Sequence, residues 1–150
     1  MARKLYETGE HLEAELIAMQ EFSDKFRYRF EKLPIQYRLD FAVFSQTEKS
    51  VKGMVEVKCR KHSWSRFPTL IMSLKKIMQM RDYSKIGINS IVLLKNDDGL
   101  WFWKYNPDDL SQIEWGGRYV GGPKKPRDTQ DSEPVVHLAR SVFKIVIPAP

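Results

Sequence analysis

A chain of 150 residues with 25 Lys and Arg against 19 Asp and Glu carries a formal net charge of +6, and 42% of its residues are hydrophobic. That combination suits one domain with its own core, argues against global disorder, and contains no apolar run approaching the ~18 residues of a membrane-spanning helix. A single cysteine, Cys59, excludes an intramolecular disulfide and a cysteine-built zinc site, while the excess positive charge suits an anionic partner such as nucleic acid. The start, Met1-Ala2-Arg3-Lys4, leads into charged sequence rather than an apolar signal core, so a cytoplasmic, membrane-free setting is the expectation.

From Leu5 to about Ser23 the apolar positions Leu12, Leu16, Met19 and Phe22 fall at helical spacing, and Glu7, Glu10, Glu13 and Glu15 crowd the end where the helix dipole favours negative charge. Thr8 or Gly9 is placed to cap it. Lys25–Phe30 alternates as a strand would, although Phe22, Phe26, Phe30 and Leu33 also continue the helical period. Tyr37–Phe44 and Val51–Cys59 read as strands joined by the polar turn Ser45–Ser50. After a basic loop, Pro68 suits the first turn of a helix whose stripe would be Leu70, Ile71, Leu74, Ile77 and Met78, ending near Arg81. Ser90–Lys95 reads as a buried strand, parallel to its predecessor and reached by that helical crossover. Asn96–Gly99 marks a turn into a further strand, Leu100–Tyr105. The core would therefore span about residues 5–105. An extension over 106–150 follows, with a mobile loop near 116–133 and an ordered segment, strand or short helix, over Val135–Ile147. The class is α/β: a mixed central sheet flanked by helices, with an αβββαβ core.

The informative feature is register. A hairpin turn centred near Glu48 places Phe44 opposite Lys52 and Asp40 opposite Glu56, and side chains so paired lie about 4.5–5.5 Å apart at Cβ. Lys58, two residues beyond Glu56, points to the same face. Two facing carboxylates repel, and a divalent cation reverses that sign; oxygen donors suit Mg²⁺, with Mn²⁺ as substitute and the Val57 carbonyl as a further ligand. Lys58 would orient or help deprotonate an attacking water, or neutralise charge on a phosphate, so the arrangement suits phosphodiester hydrolysis. A one-residue slip in the turn would send Asp40 to the other face.

Leu39-Asp40, then Val55-Glu56-Val57-Lys58, then a helix and the pair Val92-Leu93-Leu94…Trp101-Phe102-Trp103, resemble the core of the PD-(D/E)XK nuclease superfamily. Gly9-Glu10-His11-Leu12-Glu13-Ala14-Glu15-Leu16 is similar to the G-x-x-x-E-x-E-L pattern of archaeal Holliday-junction resolvases. Position alone leaves Glu13 and Glu15 equivalent; the resemblance implies Glu13 as the carboxylate assisting the metal. It implies an Mg²⁺-dependent endonuclease with the restriction-endonuclease-like fold, acting on duplex or branched DNA in a prokaryotic or phage-type setting, with roles in recombination or repair. Where the family carries a proline before the aspartate, Leu39 stands here.

Arg60, Lys61, His62 and Trp64 form a basic loop directly after the candidate site, and Lys75 and Lys76 lie on the crossover helix; all six are candidate nucleic-acid contacts, with Trp64 stacking on an unpaired base. Cys59 faces away from Lys58 and reads as a buried residue, and the three histidines lack a zinc spacing. Cutting both strands of a duplex calls for two sites, hence a homodimer. The rival readings are a non-catalytic nucleic-acid-binding module on the same basic surface, and a protein-interaction domain using the aromatic strand Trp101–Tyr105.

Overall fold

The computed structural model describes residues 9–117 and 132–148. Helix α1 spans Gly9–Phe26, so the helical period outlasts the strand-like alternation of its last residues. Phe22 and Phe26 meet each other at a tilt and Phe102 edge-on, and Arg27, left-handed at φ 59°, ends the helix. The first strand, β1, is thereby displaced to Arg29–Lys32. Strand β2 is also shorter than expected, Phe41–Phe44, because Ile35–Tyr37 turns as a 3-10 helix and Arg38 is left-handed at φ 62°. Strand β3 covers Val51–Cys59, as the sequence predicts.

The crossover differs from expectation at its start. Thr69–Ser73 is a strand, β4, and helix α2 begins only at Leu74, running to Lys85 behind a Ser73 cap that accepts from the Lys75 N–H at 3.2 Å. Leu70, Ile71 and Leu74 match a helical stripe, but β4 alternates: Met72 is buried and Ile71 exposed. What decides is a partner remote in sequence, since Thr69–Ser73 pairs antiparallel with 135–139 of β8 (Ser132–Ala139). Strands β5 (Asn89–Asn96) and β6 (Gly99–Lys104) follow as expected, β5 parallel to β3. Beyond them, Glu114–Gly117 forms β7 and Lys144–Pro148 forms β9. The expected extension thus supplies three strands, and Gly116, Gly117, Ser132 and Glu133 belong to strands rather than a loop; 118–131 lie outside the described residues.

The main sheet runs β1-β2-β3-β5-β6-β9, mixed because only β3 and β5 are parallel; a smaller antiparallel sheet runs β4-β8-β7. Alternation divides the core. Val55, Val57, Ile91 and Leu93 pack against Ala18, Met19 and Phe22 of α1. Met54, Val92 and Leu94 pack against Ile77 and Met80 of α2 and against Met72, Val136 and Leu138 of the smaller sheet. Trp101 and Trp103 are buried in this second layer, which removes the aromatic strand as a docking surface.

At the β5–β6 turn, Gly99 lets the Trp101 ring fold back: a Cβ there would stand 2.6 Å from that ring and 3.0 Å from the Ile147 carbonyl. Trp101 in turn stacks on Trp64 with ring centroids 4.3 Å apart and planes 6° apart. Gly99→Ala is therefore expected to cost about 1–3 kcal/mol of stability, by the overpacking it forces, and to weaken the coupled-indole signal. Thermal denaturation and near-ultraviolet circular dichroism check both.

Candidate functional site

Three β2–β3 pairs, Phe41 with Val55, Ala42 with Met54 and Val43 with Gly53, follow the register predicted for a turn near Glu48. A bulge at Val43/Phe44 then sets Phe44 opposite Val51 rather than Lys52, without disturbing the far end. There Asp40 straddles Glu56. Its N–H donates to the Val55 carbonyl at 2.9 Å, and its Oδ2 accepts from the Val57 N–H at 2.8 Å.

Glu56 is 3% exposed, on the α2 side of β3. Burial pushes its pKa up to about 7; Lys58 opposes the shift, ionised Asp40 adds to it, and Lys76 opposes it again. Asp40 lies near enough to raise the Glu56 pKa, so the two carboxyl groups share one locus. Lys58 Nζ lies 3.6 Å from Glu56 Oε2. Lys76 reaches the same carboxylate from α2, at 3.1 Å from Oε2 and 3.2 Å from Oε1, and donates to the Arg38 carbonyl as well. Lys76 thus points inward, not to the open face expected of it, because a buried carboxylate and a left-handed residue's carbonyl lie beneath α2. Lys75, one position along, stays exposed.

Asp40 Oδ1 is 3.7 Å from Lys32 Nζ, which lies 3.9 Å from Glu15 Oε2. Lys32 therefore bridges the site to α1, and it does so through Glu15, while Glu13 is exposed. The buried row of α1 is Ala18, Met19 and Phe22, with Leu16 41% and Ile17 50% exposed. Glu15 precedes Ala18 and Met19 by three and four residues and shares their face; Glu13 precedes Leu16 and Ile17 and faces outward. Lys32 was not singled out by sequence, although strand alternation in Arg29–Lys32 was the available signal.

Among the described residues, no group of three or more His, Cys, Asp or Glu side chains forms a metal cluster. The donor set that Asp40 and Glu56 present is two hard oxygen groups in mutual repulsion, with the Val57 carbonyl on the strand edge that its N–H shares with Asp40. That set fits a hydrated Mg²⁺, which takes one or two carboxylates and completes its shell with water and phosphate oxygens.

The loop after β3 is tied down. The Arg60 N–H donates to the Lys95 carbonyl at 2.8 Å, and the Trp64 N–H donates to Asp98 Oδ1 at 2.7 Å. Lys61 is exposed, while His62 meets Phe67 edge-on at 5.0 Å. Trp64 stacks on Trp101 and meets Phe143 edge-on at 5.6 Å, so its ring serves the core rather than standing open to a base. Cys59 is half-buried, its thiol pKa raised chiefly by burial.

A raised carboxyl pKa has a definite sign for stability. The folded state holds the Glu56 proton up to about pH 7 and the unfolded chain only to about 4.5, so stability falls as pH rises between these values. In EDTA, Glu56→Gln is expected to raise stability at pH 8 by on the order of 2–3 kcal/mol and to change it little at pH 4, measured by urea titration at each pH.

Residues 1–146 match the family model described as "Phage putative PDDEXK endonuclease". No curated protein sequence matches the chain. Among solved structures it is similar to Hjc, a Holliday junction resolvase from the archaeal hyperthermophile Archaeoglobus fulgidus, at 13% identity and a TM-score of 0.51, over 86% of each chain. At that identity the likeness concerns the fold, the mixed sheet with its flanking helices. On the extent of the family match, this chain belongs to the phage PDDEXK endonucleases.

Proposed function

We propose that the chain hydrolyses DNA phosphodiester bonds with a divalent metal, Mg²⁺ or Mn²⁺, held by Asp40, Glu56 and the Val57 carbonyl. The observation that carries this reading is the clasp of Asp40 across Glu56, which joins two carboxylates beside Lys58 at the rim of an apolar core. A bound divalent ion would make a coordinated water nucleophilic and offset charge on the phosphate. Lys58 directs its ammonium at that water or at a phosphate oxygen. Lys76 opposes the loss of charge at Glu56 and holds its carboxyl group in place, and Lys32 bridges Asp40 and Glu15. Water oxygen bonds to phosphorus and releases one proton to solvent, the bond to the leaving sugar oxygen breaks, and that oxygen takes up a proton from solvent. Glu15, rather than Glu13, is the α1 carboxylate we assign to supporting the site.

Arg60, Lys61 and His62 would hold the DNA backbone beside the cut, with Lys75 farther along α2. The fold shared with a junction resolvase supports branched DNA as substrate, and the setting we assign is recombination or repair within the cytoplasm. Cutting two strands would use a homodimer with two such sites.

Plasmid and branched DNA incubated with Mg²⁺ or Mn²⁺, and then with EDTA, test the proposal. Cleavage is expected only with metal. Glu56→Ala and Lys58→Ala should each reduce it by about a hundredfold or more while the fold and most of the DNA affinity remain. Activity retained in both variants overturns the assignment, and salt-sensitive binding without any cleavage by the wild type favours the non-catalytic rival. Glu15→Ala is expected to lower the cleavage rate by about tenfold or more, and Glu13→Ala to leave it near the wild-type value; the rates are compared in single-turnover assays.

A further inference from the structure

A cavity of about 430 Å³ opens where β3 ends, on the side of the sheet that carries Glu56 and Lys58. It lies between the loop after β3, the end of β5 and the turn that follows β8. Its size is that of small-ligand pockets, about 300–1,000 Å³. The walls are fixed by hydrogen bonds. The Asp97 N–H and Asn96 Nδ2 both donate to the His62 carbonyl at 3.1 Å, and the Arg140 N–H donates to the Pro68 carbonyl at 3.1 Å.

The lining has three chemical characters. Phe67, 50% exposed, and His62, edge-on to it, offer aromatic surface. Arg60 and Arg140 offer positive charge, and no acidic residue is among the described residues that line the cavity. Asn96, 4% exposed, and Arg140 each hold one buried polar atom that lacks a hydrogen-bond partner, an acceptor Oδ1 and a donor Nε–H. Buried polar atoms are almost always paired, and these two belong to residues on different walls of the cavity. A ligand bringing a donor and an acceptor between Asn96 and Arg140 would pair both once the side chains turn toward it. A nucleobase has a flat face for the aromatics and a donor–acceptor edge, and its attached phosphate matches the arginines.

We infer that this cavity receives one unpaired nucleotide of the DNA substrate, its base against Phe67, its edge toward Asn96 and Arg140, and its phosphate at Arg60. The inference rests on the nuclease reading and narrows its substrate class to DNA with an unpaired nucleotide beside the cut, such as a flap, a tail or an opened branch. An uninterrupted duplex would have to unstack a paired base to fill the cavity, and is disfavoured for that reason.

Fluorescence anisotropy in EDTA tests it, with a blunt duplex and the same duplex bearing a short single-stranded tail that carries 2-aminopurine. The wild type is expected to bind the tailed DNA about five- to tenfold more tightly and to quench the 2-aminopurine emission. Phe67→Ala, at an exposed position that leaves the core intact, and Arg140→Ala should each erase the preference and the quenching, with blunt-duplex affinity unchanged. Equal binding of both DNAs by the wild type, or a preference that survives in Phe67→Ala, overturns the inference. Metal-dependent cleavage by the wild type is measured in parallel. Cleavage without a tail preference defeats the cavity alone, whereas no cleavage of any DNA defeats the nuclease reading beneath it.

Discussion

An ionisable acid enclosed among apolar side chains is the constraint around which this molecule is arranged. Glu56 occupies a strand whose neighbours Met54, Val55 and Val57 are all buried, and an isolated carboxylate there would shed its charge. The surrounding chain answers with cations from two elements, Lys58 on β3 and Lys76 on α2, and opposes it with the carboxylate of Asp40. Removing one member of such a set leaves the others uncompensated, which is the usual condition of a site that binds a charged species rather than one built for stability.

The positioning of Asp40 follows from backbone more than from side chains. Its two hydrogen bonds to Val55 and Val57 make it an extra rung on the β2–β3 ladder after regular pairing has stopped. Upstream, the left-handed Arg38 bends the chain toward that rung, and α2 braces the bend, with Lys76 and the Tyr83 hydroxyl on the carbonyls of Arg38 and Tyr37. A non-glycine residue held at positive φ costs energy that the surrounding contacts must over-determine. Here those contacts belong to the helix that also supplies a lysine to Glu56, so one element sets both the place of one carboxylate and the charge of the other.

Much of the main sheet was legible because its signals are local. Val51–Cys59 and Asn89–Asn96 are apolar runs bounded by turn residues, and the β2–β3 register could be read from loop length alone. What was misread depended on partners far away in sequence. Leu70 and Ile71 fit a helix until β8 lies beside them, and Val135–Ile147 fits a strand or a short helix until β8 and β9 join their separate sheets. At the site, Asp40, Glu56 and Lys58 could be placed from alternation, but the inward turn of Lys76 could not, since it depends on what lies under α2. On α1 the Leu12–Leu16–Met19 spacing leaves Glu13 and Glu15 equivalent, and only the buried row through Ala18 and Met19 distinguishes them, turning Glu15 toward Lys32.

The middle strand of the smaller sheet lies far downstream of β4 in sequence, so Thr69 meets Ala139 and Ser73 meets Val135 only across a long loop closure. Until then β4 has no neighbour on either side, and the layer over Met54, Val92 and Leu94 is missing a wall. Long-range pairings of this kind slow folding and leave greasy surface open in the meantime. The clasp of Asp40 on Val55 and Val57, which closes between neighbouring strands, can thus form before the compartment beside it has all its walls.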